Sequence, residues 1–333
     1  MMKHAIETFA LTRRFGRRKA VDALTLRVPA GSVFALLGPN GAGKTTTTKL
    51  LLNLLAPHGG RAFVLGCDSR KLGPAEFARI GYVAEGQDLP DRMTVGEFAD
   101  YCRPFYPAWD RDLEAVLART FELPPDRQLR HLSRGMRMKA ALLVALARRP
   151  RLLLLDEPFS GLDPVARDDF VRGLIEASLL GEWTVLLSSH DIEEVERLAD
   201  HIAIIDRGRL RLAESLEALQ ARVRRVELGF GSPAAAAEAA RRLTEAGNPA
   251  WLAVEQAGSR AGFVNTAWRG SDGERACREC LVSLPASAAG DVTMTASPMP
   301  LREIYLTLAR SPAPAPAPAP VPASASNPKY PVS

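Results

Sequence analysis

Cysteine, aromatic residues and long apolar runs are all scarce in this chain of 333 residues. Four cysteines are too few for a disulfide scaffold and fit a reducing compartment. Two of them, Cys277 and Cys280, form a C-x-x-C pair in a segment that reads as a helix. A zinc site would need two further ligands close by, and the sequence offers none, so free thiols on a helix are expected. No apolar run approaches the roughly 18 residues that span a bilayer. Met1–Ala10 lacks the apolar centre of a signal peptide. A cytoplasmic location is therefore expected, with membrane association only through a partner. Aromatic residues make up 6% of the chain, and Phe15 alone interrupts the densest basic cluster, Arg13, Arg14, Arg17, Arg18 and Lys19. The net charge of +5 is spread thinly elsewhere. That cluster reads as a solvated loop, and no nucleic-acid partner is expected.

What the chain does have is enough apolar residue, 47%, and enough length for two domains of ordinary size. Up to about residue 222, apolar strand-like runs alternate with amphipathic helices: Val33–Leu37, Leu152–Leu155, Val185–Ser188 and Ile202–Ile205 are the clearest runs. This is the pattern of an α/β domain with a largely parallel sheet, whose buried strands read as continuous apolar stretches. The texture then changes. Val226–Phe230 suggests a strand, Pro233–Ala246 an alanine-rich helix, and Trp251–Val254 with Gly262–Ala267 a strand pair. Glu274–Leu284 suggests a helix, Asp291–Thr295 a strand and Pro300–Arg310 a last helix. A small α+β accessory domain over 223–310 is expected, without a cluster of catalytic residue types. Residues 311–333 alternate Pro and Ala before a polar end, which predicts a disordered or stiff extended tail.

Chemistry concentrates first in Gly38-Pro39-Asn40-Gly41-Ala42-Gly43-Lys44-Thr45, which fits the phosphate-loop pattern G-x-x-x-x-G-K-[ST] at every fixed position. Glycines let backbone N–H groups curl around anionic oxygens without Cβ clashes. Lys44 is expected to reach the β- and γ-phosphates, and Thr45 to offer its hydroxyl to Mg²⁺. The apolar run Ser32–Leu37 precedes the loop, and a helix from Thr46 to Leu55 follows it, so phosphates would sit at a helix N-terminus. Residues 38–46 are thus the candidate nucleotide-binding residues. Leu152–Leu155 leads into Asp156-Glu157-Pro158. Asp156 ends a buried strand, where open α/β sheets gather ligands, and is the candidate Mg²⁺ holder. Glu157 is the candidate base that polarises the attacking water. A third strand, Leu186–Ser189, delivers His190, placed to hydrogen bond a γ-phosphate.

With these residues in place, the chain resembles the nucleotide-binding subunit of an ATP-binding cassette (ABC) transporter, of the single-cassette exporter type, over about residues 4–220. The resemblance implies a P-loop NTPase cassette over 1–222 with a helical subdomain near 88–150. The family's signature loop, usually Leu-Ser-Gly-Gly-Gln, corresponds to Leu132-Ser133-Arg134-Gly135-Met136, where Arg134 and Met136 depart from the common pattern. By resemblance, Ser133 and Gly135 reach the γ-phosphate held by the opposite subunit, with the helix Arg137–Ala147 aiming its dipole there. Phe15, before Gly16, matches the adenine-stacking aromatic, a core position being the alternative. Glu85 stands where the family has a glutamine, with Gln87 two residues on, and Asp88–Glu97 resembles the surface that receives a permease's coupling helix. His190 matches the switch histidine and Asp163 the D-loop aspartate. The implied function is a dimeric, Mg·ATP-dependent ATPase, homo- or heterodimeric, at the cytoplasmic face of the membrane, driving a separate transmembrane permease, with export favoured. The alternatives are a soluble ABC-type ATPase acting on ribosomes or nucleic acid, and an ATP sensor without turnover. The first usually has two cassettes, a coiled-coil insert or a strong basic surface, and the second loses the acid that Glu157 supplies.

Overall fold

The computed structural model describes residues 3–282 and 292–311. The chain opens with two long strands, β1 (His4–Phe15) and β2 (Arg18–Pro29), turned at Gly16, whose φ of 57° lies in the left-handed region. After β3 (Val33–Leu37) and helix α1 (Lys44–Leu51), β4 (Gly59–Val64) returns beside β1, and the short β5 (Cys67–Asp68) follows. These build an antiparallel sheet in the order β2-β1-β4-β5. This antiparallel layer stands beside the largely parallel sheet that was expected and was not itself expected. Buried and exposed positions interleave along β1 and β2, and bulges such as that between Thr8 and Leu11 break their register, so neither shows a continuous apolar run. The basic cluster expected as a loop takes in the strand ends of this hairpin as well as its turn, where Arg17 lies. Arg13 donates to Ala56 O at 2.6 Å, Arg18 to Gly41 O at 2.9 Å, and Lys19 pairs with Asp22 at 2.7 Å.

The central sheet adds β6 (Ile80–Ala84), β7 (Leu152–Asp156), β8 (Thr184–Ser189), β9 (His201–Asp206) and β10 (Arg209–Ser215). Its order is β10-β9-β3-β8-β7-β6, parallel except for the β10 edge. Side chains alternate across each strand, so one apolar run serves two cores. Leu152 and Leu154 face the antiparallel sheet and α1 with Phe34, Leu36 and Ile205. Leu153 and Leu155 face the other way with Leu37, Val83 and Leu187. That second core is closed by helices α3 (Val95–Cys102), α4 (Arg111–Thr120) and α5 (Arg134–Ala147), which follow the single turn α2 (Pro74–Phe77), and by α6 (Pro164–Ser178), α7 (Ile192–Leu198) and α8 (Leu216–Arg222). Helices α3, α4, α5, α6 and α8 start on a side-chain cap. Thr94 and Glu97 exchange bonds at α3, Asp110 accepts from Leu113 N at α4, and Ser133 and Asp163 begin α5 and α6.

The C-terminal region runs β11 (Arg224–Gly229), α9 (Pro233–Glu245), β12 (Trp251–Ala257), β13 (Arg260–Asn265), α10 (Ser271–Val282) and β14 (Thr293–Pro298). All neighbours are antiparallel and the order is β12-β13-β11-β14. This is the βαββαβ, ferredoxin-like arrangement. Val226, Leu228, Ala236, Ala239, Leu243 and Phe263 form its own small core. The last helix, α11 (Leu301–Arg310), turns back: Leu301 and Ile304 are buried in the core of the preceding domain, and Leu301 N donates to Glu196 of α7 at 3.0 Å. The tail expected beyond Ser311, and the side chains of Cys277 and Cys280, lie outside the described residues. Among those described, no helix is long and apolar enough to cross a membrane.

Candidate nucleotide-binding site

The parallel strands β3, β7 and β8 bring their C-terminal ends together at one end of the sheet, and the glycine loop leaves β3 there. Two of its glycines are dictated by space. A Cβ on Gly38 would lie 2.4 Å from Ile205 O, and one on Gly43, at φ 108°, would lie 2.3 Å from Ala20 O. The loop is held from both sides: Arg18 Nη2 donates to Gly41 O at 2.9 Å, and Gly208 N to Ala42 O at 2.9 Å. The sequence marks Arg18 only as one of a basic cluster and Gly208 not at all, because their contacts with the loop are set by tertiary packing.

Lys44 opens α1 and is buried. Its Nζ donates to Gly38 O at 2.6 Å and pairs with Glu157 Oε1 at 2.8 Å. The other carboxylate oxygen, Oε2, lies 2.8 Å from His190 Nδ1. Glu157 takes a left-handed backbone, φ 51°, which costs a non-glycine residue about 1 kcal/mol and turns its carboxylate into the cluster. Ser188 O accepts from Glu157 N at 3.0 Å. The expected acid, lysine and histidine are thus one chain of contacts.

Beside it, Thr45 Oγ1 donates to Asp156 Oδ1 at 3.1 Å, and Ser188 Oγ donates to the same oxygen. Burial pushes the Asp156 carboxyl above the usual carboxylate range, against the hydrogen bonds from Ser188 and Thr45, and the Glu157 charge adds to the rise. Among the described residues no ion pair neutralises Asp156. A buried carboxylate with a hydroxyl beside it offers hard oxygen donors, which fit a divalent cation such as Mg²⁺. Ser188 is a site residue that the sequence reading passed over. Its two-residue spacing from His190 on a buried strand was the signal available.

The other expected residues sit apart from this cluster. Ser133 caps α5, accepting from Met136 N at 3.2 Å. Gly135 is buried, and a Cβ there would come within 3.2 Å of the Ala166 methyl. Asp163 caps α6, accepting from Val165 N at 3.0 Å and Ala166 N at 2.9 Å. Among the described residues no hydrogen bond or ion pair links these three to Lys44, Asp156 or Glu157 within the chain. Glu85 directly follows β6; Asp156 O accepts from its N–H at 2.8 Å, while its carboxylate accepts from Ser160 Oγ and, at 3.4 Å, from Arg134 Nη2. Gln87 accepts from Ala84 N at 3.4 Å, within its own turn. Phe15 is 49% exposed at the hairpin end, with the Arg13 guanidinium 5.0 Å from its ring centre, so it is not a core residue.

Fold and site together define a phosphate-loop nucleotide-binding protein of the α/β class. The comparisons with known proteins then narrow the class. The family model described as ABC transporter matches residues 21–160. The daunorubicin/doxorubicin resistance ATP-binding protein DrrA of Streptomyces peucetius is 39% identical over 62% of this chain and 64% of its own length. The Nod factor export ATP-binding protein I of Cupriavidus metallidurans is 38% identical over 60% of this chain and 67% of its own. The solved ATP-binding subunit of an ABC transporter superposes with a TM-score of 0.58 at 27% identity, covering 65% of this chain and 92% of that one. The ADP conformation of another ATP-binding cassette, 23% identical with a TM-score of 0.57, covers 65% of this chain and 92% of that one and shares the fold. The chain belongs to the ATP-binding proteins of the ABC transporter family. It spans just under two thirds of the length of the first of these relatives.

Proposed function

We propose that the protein binds and hydrolyses Mg·ATP as a dimer and drives a separate membrane permease, in the direction of export. The observation that carries this reading is the contact chain Lys44–Glu157–His190 beside the Thr45–Asp156 pair, all at the mouth of the glycine loop. The loop's N–H groups and the Lys44 ammonium receive the phosphate oxygens. Thr45 and Asp156 would hold Mg²⁺, which would supply neutralisation of phosphate charge. Glu157 takes a proton from water as the water oxygen bonds to the γ-phosphorus and the bond to the β–γ bridging oxygen breaks, leaving ADP and phosphate. His190 orients Glu157 through Nδ1; while Nδ1 donates to the Glu157 carboxylate, donation from Nε2 to phosphate needs the doubly protonated ring.

Among the described residues no hydrogen bond or ion pair links Ser133 or Gly135 to Lys44 or Glu157 of the same chain, which supports use of the signature loop across a dimer. Phe15, exposed at the hairpin, is the proposed adenine platform. Asp88–Glu97 is the proposed permease contact. The names of the relatives, one for drug resistance and one for Nod factor export, favour an exporter.

The test is a tagged Glu157→Gln chain expressed in its native host and recovered from detergent-solubilised membranes with Mg·ATP. A stoichiometric multi-span partner is expected. Recovery of ribosomes or nucleic acid without such a partner would overturn the transporter reading.

A further inference from the structure

Glu85 and Arg134 are both charged, lie 49 residues apart, and are not used by the chemistry above. Glu85 is tied to the strand that carries the acids. Asp156 O accepts from its N–H at 2.8 Å, and its Oε1 accepts from Ser160 Oγ, while Glu157 O accepts from Ser160 N at 3.1 Å. Arg134 is the first residue of α5, between Ser133 and Gly135. A cation there faces the positive end of the helix dipole and needs a counter-charge. The Glu85 carboxylate supplies it at 3.4 Å. The guanidinium also lies against Gly161, where an added Cβ would stand 2.0 Å from Arg134 Nη1 and the φ of +66° already favours glycine.

We propose that Glu85 and Arg134 form an ionic clasp that fixes the start of α5, and with it Ser133 and Gly135, against the strand bearing Asp156 and Glu157. Both are positioning residues. The two charges are then one compensated change rather than two separate ones. Their side chains are 45% and 53% exposed, so the pair shifts an equilibrium by no more than about five-fold. That is too little to hold the fold and enough to bias the orientation of one helix end. The clasp rests on the ATPase reading only for its effect on turnover.

The test uses the purified full chain and the variants Glu85→Gln, Arg134→Gln, Arg134→Lys and the exchange Glu85→Arg with Arg134→Glu. The exchange is tolerable because a glutamate in a first helical turn suits the dipole. The first readout is amide hydrogen exchange in the opening turns of α5. Each Gln variant is expected to raise exchange there by about three- to five-fold, and the lysine and exchanged variants to return it to near the wild-type rate. In 0.5 M KCl the wild type is expected to approach the Gln variants, because salt screens an exposed pair. The second readout is ATP turnover beside binding of a fluorescent ATP analogue. The Gln variants are expected to lower kcat by about three- to five-fold with the nucleotide Kd within about two-fold of wild type. Unchanged exchange in both Gln variants, or an exchanged variant that is the simple product of two losses, overturns the clasp. A wild-type chain that binds nucleotide without turnover would instead overturn the ATPase reading, and the exchange arm would still decide the clasp.

Discussion

At the scale of single residues, Glu157 holds the site together, its carboxylate shared by Lys44 and His190 on a left-handed backbone. Glutamine there keeps the shape and removes the base. Glu157→Gln is therefore expected to bind ATP as the wild type does and to lose turnover by about 100-fold or more, read as phosphate release against equilibrium binding. Lys44→Ala is expected to act on binding itself, raising the dissociation constant for ATP, and calorimetry that found the affinity unchanged would contradict the assignment. Asp156 gives the pH-dependent case. Its carboxyl binds a proton more tightly in the folded chain than in the unfolded one, since burial outweighs the hydrogen bonds it accepts. Its ionisation therefore opposes folding. The cost is absent below the unfolded pKa and grows as pH rises through the raised folded value. Asp156→Asn is expected to melt higher than wild type in EDTA at neutral pH, with the gap closing towards acid, and to lose the stabilisation that Mg·ATP gives the wild type. Equal melting curves with and without the carboxylate would refute this.

At the scale of elements, the clearest case is β7. The run Leu152–Leu155 reads as a buried strand because both of its faces are covered, and the structure puts alternate leucines into the two cores. Helices α9 and α11 of the C-terminal region were equally legible, within a residue of the spans read from the sequence, because Pro and Ser mark one start and a Pro precedes the other, whereas α10 begins at Ser271 rather than Glu274. The N-terminal sheet was not legible, because its arginines and bulges hide the alternation that marks a strand. Helix α6 offers a test that separates structure from function at one residue. Asp163 caps it through two backbone N–H groups, so Asp163→Ala is expected to cost about 1 kcal/mol in denaturant unfolding. Asp163→Ser should recover that stability. If turnover stays low in the serine variant while stability returns, the aspartate also acts beyond its cap, as the proposed dimer requires.

At the scale of the whole molecule, α11 joins the ferredoxin-like region to the cassette by burying Leu301 and Ile304 beside α7, the helix that follows His190. Ile304→Ala is expected to destabilise the chain by about 2–4 kcal/mol in equilibrium unfolding, while Leu306→Ala, at an exposed position, should cost far less. Equal losses would mean that α11 does not close the cassette core. By itself the sequence determined the α/β class, the phosphate loop, the acid pair and the histidine, because a tight glycine turn and buried strand ends leave their marks in local spacing. Tertiary structure alone decided that Arg18 and Gly208 clamp the loop, that Ser188 shares Asp156, that Glu85 meets Arg134, and that the last helix folds back on the first domain. Each of these joins residues far apart in the chain, and contacts of that kind are set by how layers pack, which no local pattern of side chains records.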